Sequence, residues 1–167
     1  MGLADEDDRN RTEVLVPNEE WRAGATSARM FRQGYVITGG DNLLRVRIID
    51  ERWARLTIKF RRRGLSREEY EYEIPHEEAA ELLFHASGGV IEKTRYTVSH
   101  EGFVWEVDVF VGLHIGLTIA EIEMAREDDR LPLPPWIGRE VTGDKRYSNR
   151  SLARKSTSKL VSGNGFE

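Results

Sequence analysis

The chain has 167 residues, with 25 Lys and Arg against 29 Asp and Glu for a formal net charge of −4, and no cysteine. That length suits one domain with its own core, and the slight acidic excess argues against a general nucleic-acid binder. The missing cysteines remove disulfides, thiolate metal sites and cysteine nucleophiles, which fits a cytoplasmic protein; no apolar stretch reaches membrane-spanning length and the N-terminus lacks a signal-peptide pattern.

In chain order, residues 1–8 are acidic and small and read as a flexible end. Val14–Val16 is a short strand, and Asn18 caps a helical turn through Arg22. Met30–Thr38 is a strand that turns at Gly39-Gly40-Asp41-Asn42 into Leu43–Asp50. Ala54–Phe60 follows across Glu51-Arg52-Trp53. Arg61–Gly64 is a basic turn, and Arg67–Ile74 is the next strand. Pro75 opens a helix from about Glu77 to Ala86, with Ala79, Leu82, Leu83 and Ala86 as its apolar side and Gly88-Gly89 as its end. Val90–Ser99 and Phe103–Phe110 form a hairpin around His100-Glu101-Gly102. Leu117–Met124 is the last long strand. Pro132–Pro135 is a rigid connector, Pro135–Glu140 and Ser151–Arg154 are short helical pieces, and 155–167 reads as a disordered tail.

The strands share one habit: alternate positions carry charge. Arg45-Val46-Arg47, Thr57-Ile58-Lys59, Glu69-Tyr70-Glu71-Tyr72-Glu73, Lys93-Thr94-Arg95, Glu106-Val107-Asp108 and Glu121-Ile122-Glu123 all show it. Residues two apart on a strand point to the same side, so each segment has a charged face and an apolar one. A closed or strongly curved sheet turns such a face into a polar cavity. The basic set is Arg45, Arg47, Lys59, Lys93 and Arg95, to which Arg32 belongs if its parity agrees. Arginine forks and lysine point charges suit phosphate oxygens. The acidic set is Glu69, Glu71, Glu73, Glu106, Asp108, Glu121 and Glu123, hard donors of the kind Mg²⁺ takes. The bland alternative is a solvated face of cross-strand ion pairs, each worth a few tenths of a kcal/mol. Against it, Val46, Ile58, Tyr70, Tyr72, Val107 and Ile122 need something to pack on, and one helix is too little to cover them. His76, His85, His100 and His114 have no ligand spacing and read as turn or surface residues. Trp21, Trp53, Trp105 and Trp136 read as core or cap packing.

These strings, in this order, resemble the CYTH domain, the triphosphate tunnel metalloenzyme family. The resemblance rests on Arg32-Gln33-Gly34-Tyr35, Leu44-Arg45-Val46-Arg47, Leu56-Thr57-Ile58-Lys59, Leu65-Ser66-Arg67 with Glu69-Tyr70-Glu71, and Ile91-Glu92-Lys93-Thr94-Arg95-Tyr96. It continues through Trp105-Glu106-Val107-Asp108-Val109-Phe110, Ala120-Glu121-Ile122-Glu123, Pro134-Pro135-Trp136-Ile137-Gly138 and Glu140-Val141-Thr142-Gly143-Asp144-Lys145-Arg146-Tyr147. It implies a mainly β fold, an antiparallel eight-stranded tunnel barrel with a few flanking helices, over residues 9–154. It also implies a linear triphosphate held with Mg²⁺ or Mn²⁺. By motif, Arg45, Arg47, Lys59, Lys93 and Arg95 bind phosphate, and Glu71, Glu121 and Glu123 serve the metal. Lys59, Glu106 and Asp108 form the catalytic set, the two acids orienting water or holding basic partners. The implied activity is hydrolysis of inorganic triphosphate. The family also contains thiamine triphosphatases and adenylate cyclases, and a polyphosphate- or nucleotide-binding protein without turnover stays open beside them. The implied partner is a triphosphate-containing small molecule, with no nucleic acid and no membrane; oligomeric state is left open, a homodimer included.

One motif departs. The family opens with a strand of pattern ExExK, followed by apolar residues, an Asn and a Trp. Here Glu13-Val14-Leu15-Val16 leads to Asn18 and Trp21, which puts Arg9, Arg11 and Glu13 at the three motif positions. The charges are reversed. One reading is a frayed N-terminus whose sequence no longer matters; the other is an altered metal site, in which Arg9 and Arg11 repel Mg²⁺ and pair with Glu121 and Glu123.

Overall fold

The computed structural model describes residues 10–39, 42–60, 68–125 and 130–153. Gly40, Asp41, the basic turn Arg61–Gly64, the end 1–8 with Arg9, and the tail 155–167 lie outside the described residues. Eight strands follow in chain order: β1 (Arg11–Leu15), β2 (Ala25–Gly39), β3 (Asn42–Ile49), β4 (Trp53–Phe60), β5 (Glu68–Ile74), β6 (Ile91–His100), β7 (Phe103–Phe110) and β8 (Thr118–Glu123). One helix, α1 (His76–Phe84), lies between β5 and β6. The strands form an eight-stranded sheet in the order β1-β8-β7-β6-β2-β3-β4-β5. The ladders β1–β8, β8–β7, β7–β6, β2–β3, β3–β4 and β4–β5 are all antiparallel. The expected mainly β, eight-stranded antiparallel architecture is therefore present. Among the described residues no helix is long and apolar enough to cross a membrane.

The chain divides into two compact units. The first holds residues up to Arg29, Lys93–Val111 and Ile115–Asp144. Its core joins Val14, Val16, Trp21, Val98, Trp105, Val107, Ala120, Ile122, Met124 and Trp136. Trp21 is buried behind a short 3-10 turn (Glu20–Gly24), donates its indole N–H to the Asn18 carbonyl at 3.1 Å, and stacks at a tilt on Tyr96. Asn18 accepts the Glu20 N–H through its side chain, the expected capping role. The predicted helical piece at Pro135–Glu140 is instead a turn at 135–136 followed by extended chain along β1. Gly138 N donates to Leu15 O at 2.7 Å, Leu15 N to Arg139 O at 2.8 Å, and Val141 N to Glu13 O at 2.8 Å. This segment satisfies the backbone groups that an edge strand otherwise leaves unpaired.

The second unit holds Met30–Glu92, Gly112–His114 and the chain from Lys145. Val46, Ile48, Ala54, Ala79 and Leu83 form its core, where α1 covers β3 and β4. Ala79 and Leu83 are four apart, one face of a helix. Glu77 and Glu78 lie in the first turn, where the helix dipole favours acids. α1 ends at Phe84, two residues short of the expected end, and Phe84 itself is exposed. Gly34 lies under it: an added Cβ would stand 3.0 Å from the Ala86 Cβ and 3.2 Å from a Leu83 methyl. Beyond the reach of α1 the apolar face stays open. Tyr70 and Tyr72, expected to be packed, are 45% and 54% exposed. Trp53 also departs from expectation, sitting exposed at the β3–β4 corner under the Arg52 guanidinium. The expected helical piece near Ser151 is a short helix at 149–153.

Candidate functional site

In the second unit the register brings the predicted charges to one face. Tyr35, Arg45, Thr57 and Glu71 stand opposite one another across β2, β3, β4 and β5; Gln33, Arg47, Arg55 and Glu73 form the next row, and Lys59 faces Glu69 beyond. The side chains interlock. Gln33 Oε1 accepts the Arg47 Nε–H at 2.7 Å, and the Arg47 guanidinium lies 4.8 Å over the Phe31 ring. Arg45 reaches the Thr57 hydroxyl at 3.4 Å, which in turn reaches Glu71 at the same distance. Arg55 lies 3.7 Å from Glu71, and Lys59 lies 3.5 Å from Glu69. Arg32 does not share this face. It forms a two-pronged bond to Glu51 at 2.9 and 3.1 Å, which holds the Glu51 carboxyl below its usual range.

The first unit holds a tighter cluster. Asp108 is buried between Lys93, at 2.8 Å, and Arg95, whose Nε and Nη2 donate at 2.7 and 2.9 Å. Arg95 also reaches Glu106 at 2.8 Å and Glu121 at 3.1 Å. Burial alone would raise the Asp108 carboxyl, but Lys93 and Arg95 outweigh it and hold the group at about 2. Burial likewise opposes the charge on Arg95, and Asp108 reverses the balance and raises it. Glu106 moves the other way. Burial lifts its carboxyl, Arg95 opposes the lift, and a hydrogen bond with Glu121 adds to it. Glu106, Glu121 and Glu13 are register partners on β7, β8 and β1. Arg11 stands opposite Glu123 and lies 3.4 Å from Glu13 on its own strand. The reversed motif residues Arg11 and Glu13 thus share the face of Glu121 and Glu123.

Three contributors escape the charge pattern. Gln33 and Thr57 are buried polar side chains on the basic face, and Arg55 lines the same face. Parity alone places Arg55 and Thr57 with Lys59. Gln33 shares parity with Tyr35, and only its bond to Arg47 reveals its place.

A family model described as the CYTH domain matches residues 3–157. The chain belongs to the CYTH family. Among CYTH relatives, the inorganic triphosphatase of Acetivibrio thermocellus is 49% identical over 126 residues, 75% of this chain and 80% of that protein. The inorganic triphosphatase of Nitrosomonas europaea is 40% identical over 134 residues, 78% of this chain and 87% of that protein. A crystal structure of an inorganic triphosphatase superposes with a TM-score of 0.70 at 35% identity, covering 86% of this chain and 96% of that one. The HpAC1 protein of Hippeastrum shares the fold at a TM-score of 0.51 and 16% identity, over 70% of this chain and 79% of that one.

Proposed function

We propose that this CYTH chain hydrolyses inorganic triphosphate with the help of a divalent metal, Mg²⁺ or Mn²⁺. The observation that carries the reading is the 49% identity to an inorganic triphosphatase across three quarters of the chain. The geometry supports it. In the second unit Arg45, Arg47 and Lys59 share one face and neutralise phosphate oxygens through charge-assisted hydrogen bonds; in the first unit Lys93 and Arg95 are the phosphate-binding pair. Lys59 offsets charge that develops on the leaving group, Glu106 orients the attacking water, and Asp108 holds Lys93 and Arg95 in place. Residues 9–154 form the working domain, in a cytoplasmic protein that binds neither nucleic acid nor membrane; a homodimer is compatible with this reading.

The donor set suits a divalent cation. Glu106 and Glu121 are register neighbours, and Glu121 adds to the burial that raises the Glu106 carboxyl. Two such groups pressed together gain from a cation between them. Among the described residues no group of three or more His, Asp or Glu forms a ready-made cage. That accords with Mg²⁺, which keeps several waters and takes one or two carboxylates plus substrate phosphates. In the first unit Glu121 with Glu123 or the added Glu106, and in the second unit Glu71, are the residues to hold it. When bound, the cation supplies charge neutralisation on the phosphoryl oxygens.

A second reading is favoured by one observation: Arg11 stands among these carboxylates. In that reading the chain binds a polyphosphate or nucleotide without turnover. Thiamine triphosphate and ATP are the alternative substrates. Release of orthophosphate from tripolyphosphate, thiamine triphosphate and ATP, with Mg²⁺, Mn²⁺ or a chelator, separates these readings.

A further inference from the structure

We propose that Arg55 is a further substrate-binding residue, whose guanidinium leaves Glu71 for a phosphate oxygen of the triphosphate. The inference deepens the triphosphate reading above and rests on it. Arg55 lies on β4 in the row of Gln33, Arg47 and Glu73, on the same strand as Thr57 and Lys59. Residues two apart on a strand share a face, so Arg55 stands on the side of the basic set. Its chain neighbours Ala54 and Leu56 belong to the opposite side, in the core that α1 covers.

What sets Arg55 apart is how loosely it is held. Among the described residues its side chain makes no hydrogen bond, and its ion pair is with Glu71 at 3.7 Å, beyond hydrogen-bond reach. Arg32, by contrast, is clamped by both oxygens of Glu51, and Arg95 is held by Asp108, Glu106 and Glu121. The Arg55 side chain is 48% exposed, so a ligand can reach it. The pair is also diagonal. Glu73 stands opposite Arg55 in register, yet the guanidinium leans toward Glu71, in the row of Arg45 and Thr57. Sheet stability alone would be served by the directly opposed pair with Glu73. An exposed ion pair of this length contributes little, whereas an arginine fork on phosphate makes short charge-assisted bonds. The exchange therefore favours phosphate. Glu71 is also this unit's candidate for holding the cation, and a guanidinium that has left it no longer competes for the carboxylate.

Calorimetric titration of the full chain with tripolyphosphate in Mg²⁺ tests the inference, using wild type, Arg55→Met, Arg55→Gln and Arg52→Met. Arg55→Met is expected to bind roughly tenfold more weakly, the scale of one charge-assisted contact. Arg55→Gln, which keeps a polar side chain on the exposed face, is expected to show the same loss, and it decides the matter if Arg55→Met fails to fold. Arg52, stacked on Trp53 at the β3–β4 corner, controls for the general loss of one positive charge, and Arg52→Met is expected to bind as wild type does. Unchanged affinity in the Arg55 variants, or an equal loss in Arg52→Met, would overturn the role of Arg55 while leaving the triphosphate reading intact. Failure of wild type itself to bind tripolyphosphate would overturn that reading, and this inference with it.

Discussion

Asp108 on β7 has both carboxylate oxygens committed to Arg95 on β6, at 2.7 and 2.9 Å, while Lys93 closes on it from 2.8 Å. Two cations thus share one buried anion, and that relationship sets the first expectation. Asp108→Ala leaves both charges buried without it, and breaking such a group typically costs about 3–5 kcal/mol. Urea unfolding should show that loss; a change under about 1 kcal/mol would mean the cluster relaxes into water.

The same carboxyl predicts an acid limb. Its folded value, about 2, lies below the ordinary aspartate range. A depressed group contributes stability that is present above the unfolded value and is lost as pH falls through the folded one. The difference in unfolding free energy between wild type and Asp108→Asn should therefore shrink between roughly pH 4 and pH 2. A difference that stays flat through that window would contradict the ion-pair account.

Gly138 gives a prediction independent of charge. A Cβ added there would lie 2.7 Å from the Leu15 carbonyl oxygen, which is backbone and cannot swing away. Gly138→Ala should therefore push the covering segment off β1 and destabilise the fold by about 1–3 kcal/mol. Thermal unfolding measures it, and an unchanged Tm would show that this segment does not dock on β1 as described.

Much of this was legible in the sequence because a strand repeats every two residues. Arg45 with Arg47, and Glu106 with Asp108, declare a common face wherever the pairing falls. Register is different. Nothing in the string says that Glu106 will stand opposite Glu121, or that Arg32 will turn away to Glu51, because those relations depend on strands distant in sequence. Gln33 was missed for a chemical reason: a neutral amide in a strand has no signature until its oxygen is seen accepting the Arg47 Nε–H. Tyr70 and Tyr72 were expected to pack because alternation reports a face, not what covers it, and α1 packs chiefly over β3 and β4. Pro135–Glu140 was misread as helical because the backbone partners of its second half lie on β1, more than a hundred residues away.

The reversed strand supplies a gain-of-function expectation. Arg11 and Glu13 lie on the face of Glu123 and Glu121, and Arg9 completes the motif in sequence. Arg9→Glu, Arg11→Glu and Glu13→Lys together turn two cations and one carboxylate into two carboxylates and one cation, restoring the motif. Metal-dependent triphosphatase activity should rise by more than about tenfold, which needs only about 1.4 kcal/mol off the barrier. Equal rates in wild type and the triple variant would show that β1 does not govern the metal.

The most direct test is orthophosphate release from tripolyphosphate by the wild-type chain. The account predicts release that requires Mg²⁺ or Mn²⁺, stops with chelator and falls in Arg47→Ala and Lys59→Ala. Tight tripolyphosphate binding with no phosphate released under any metal would contradict it and identify a binding protein instead.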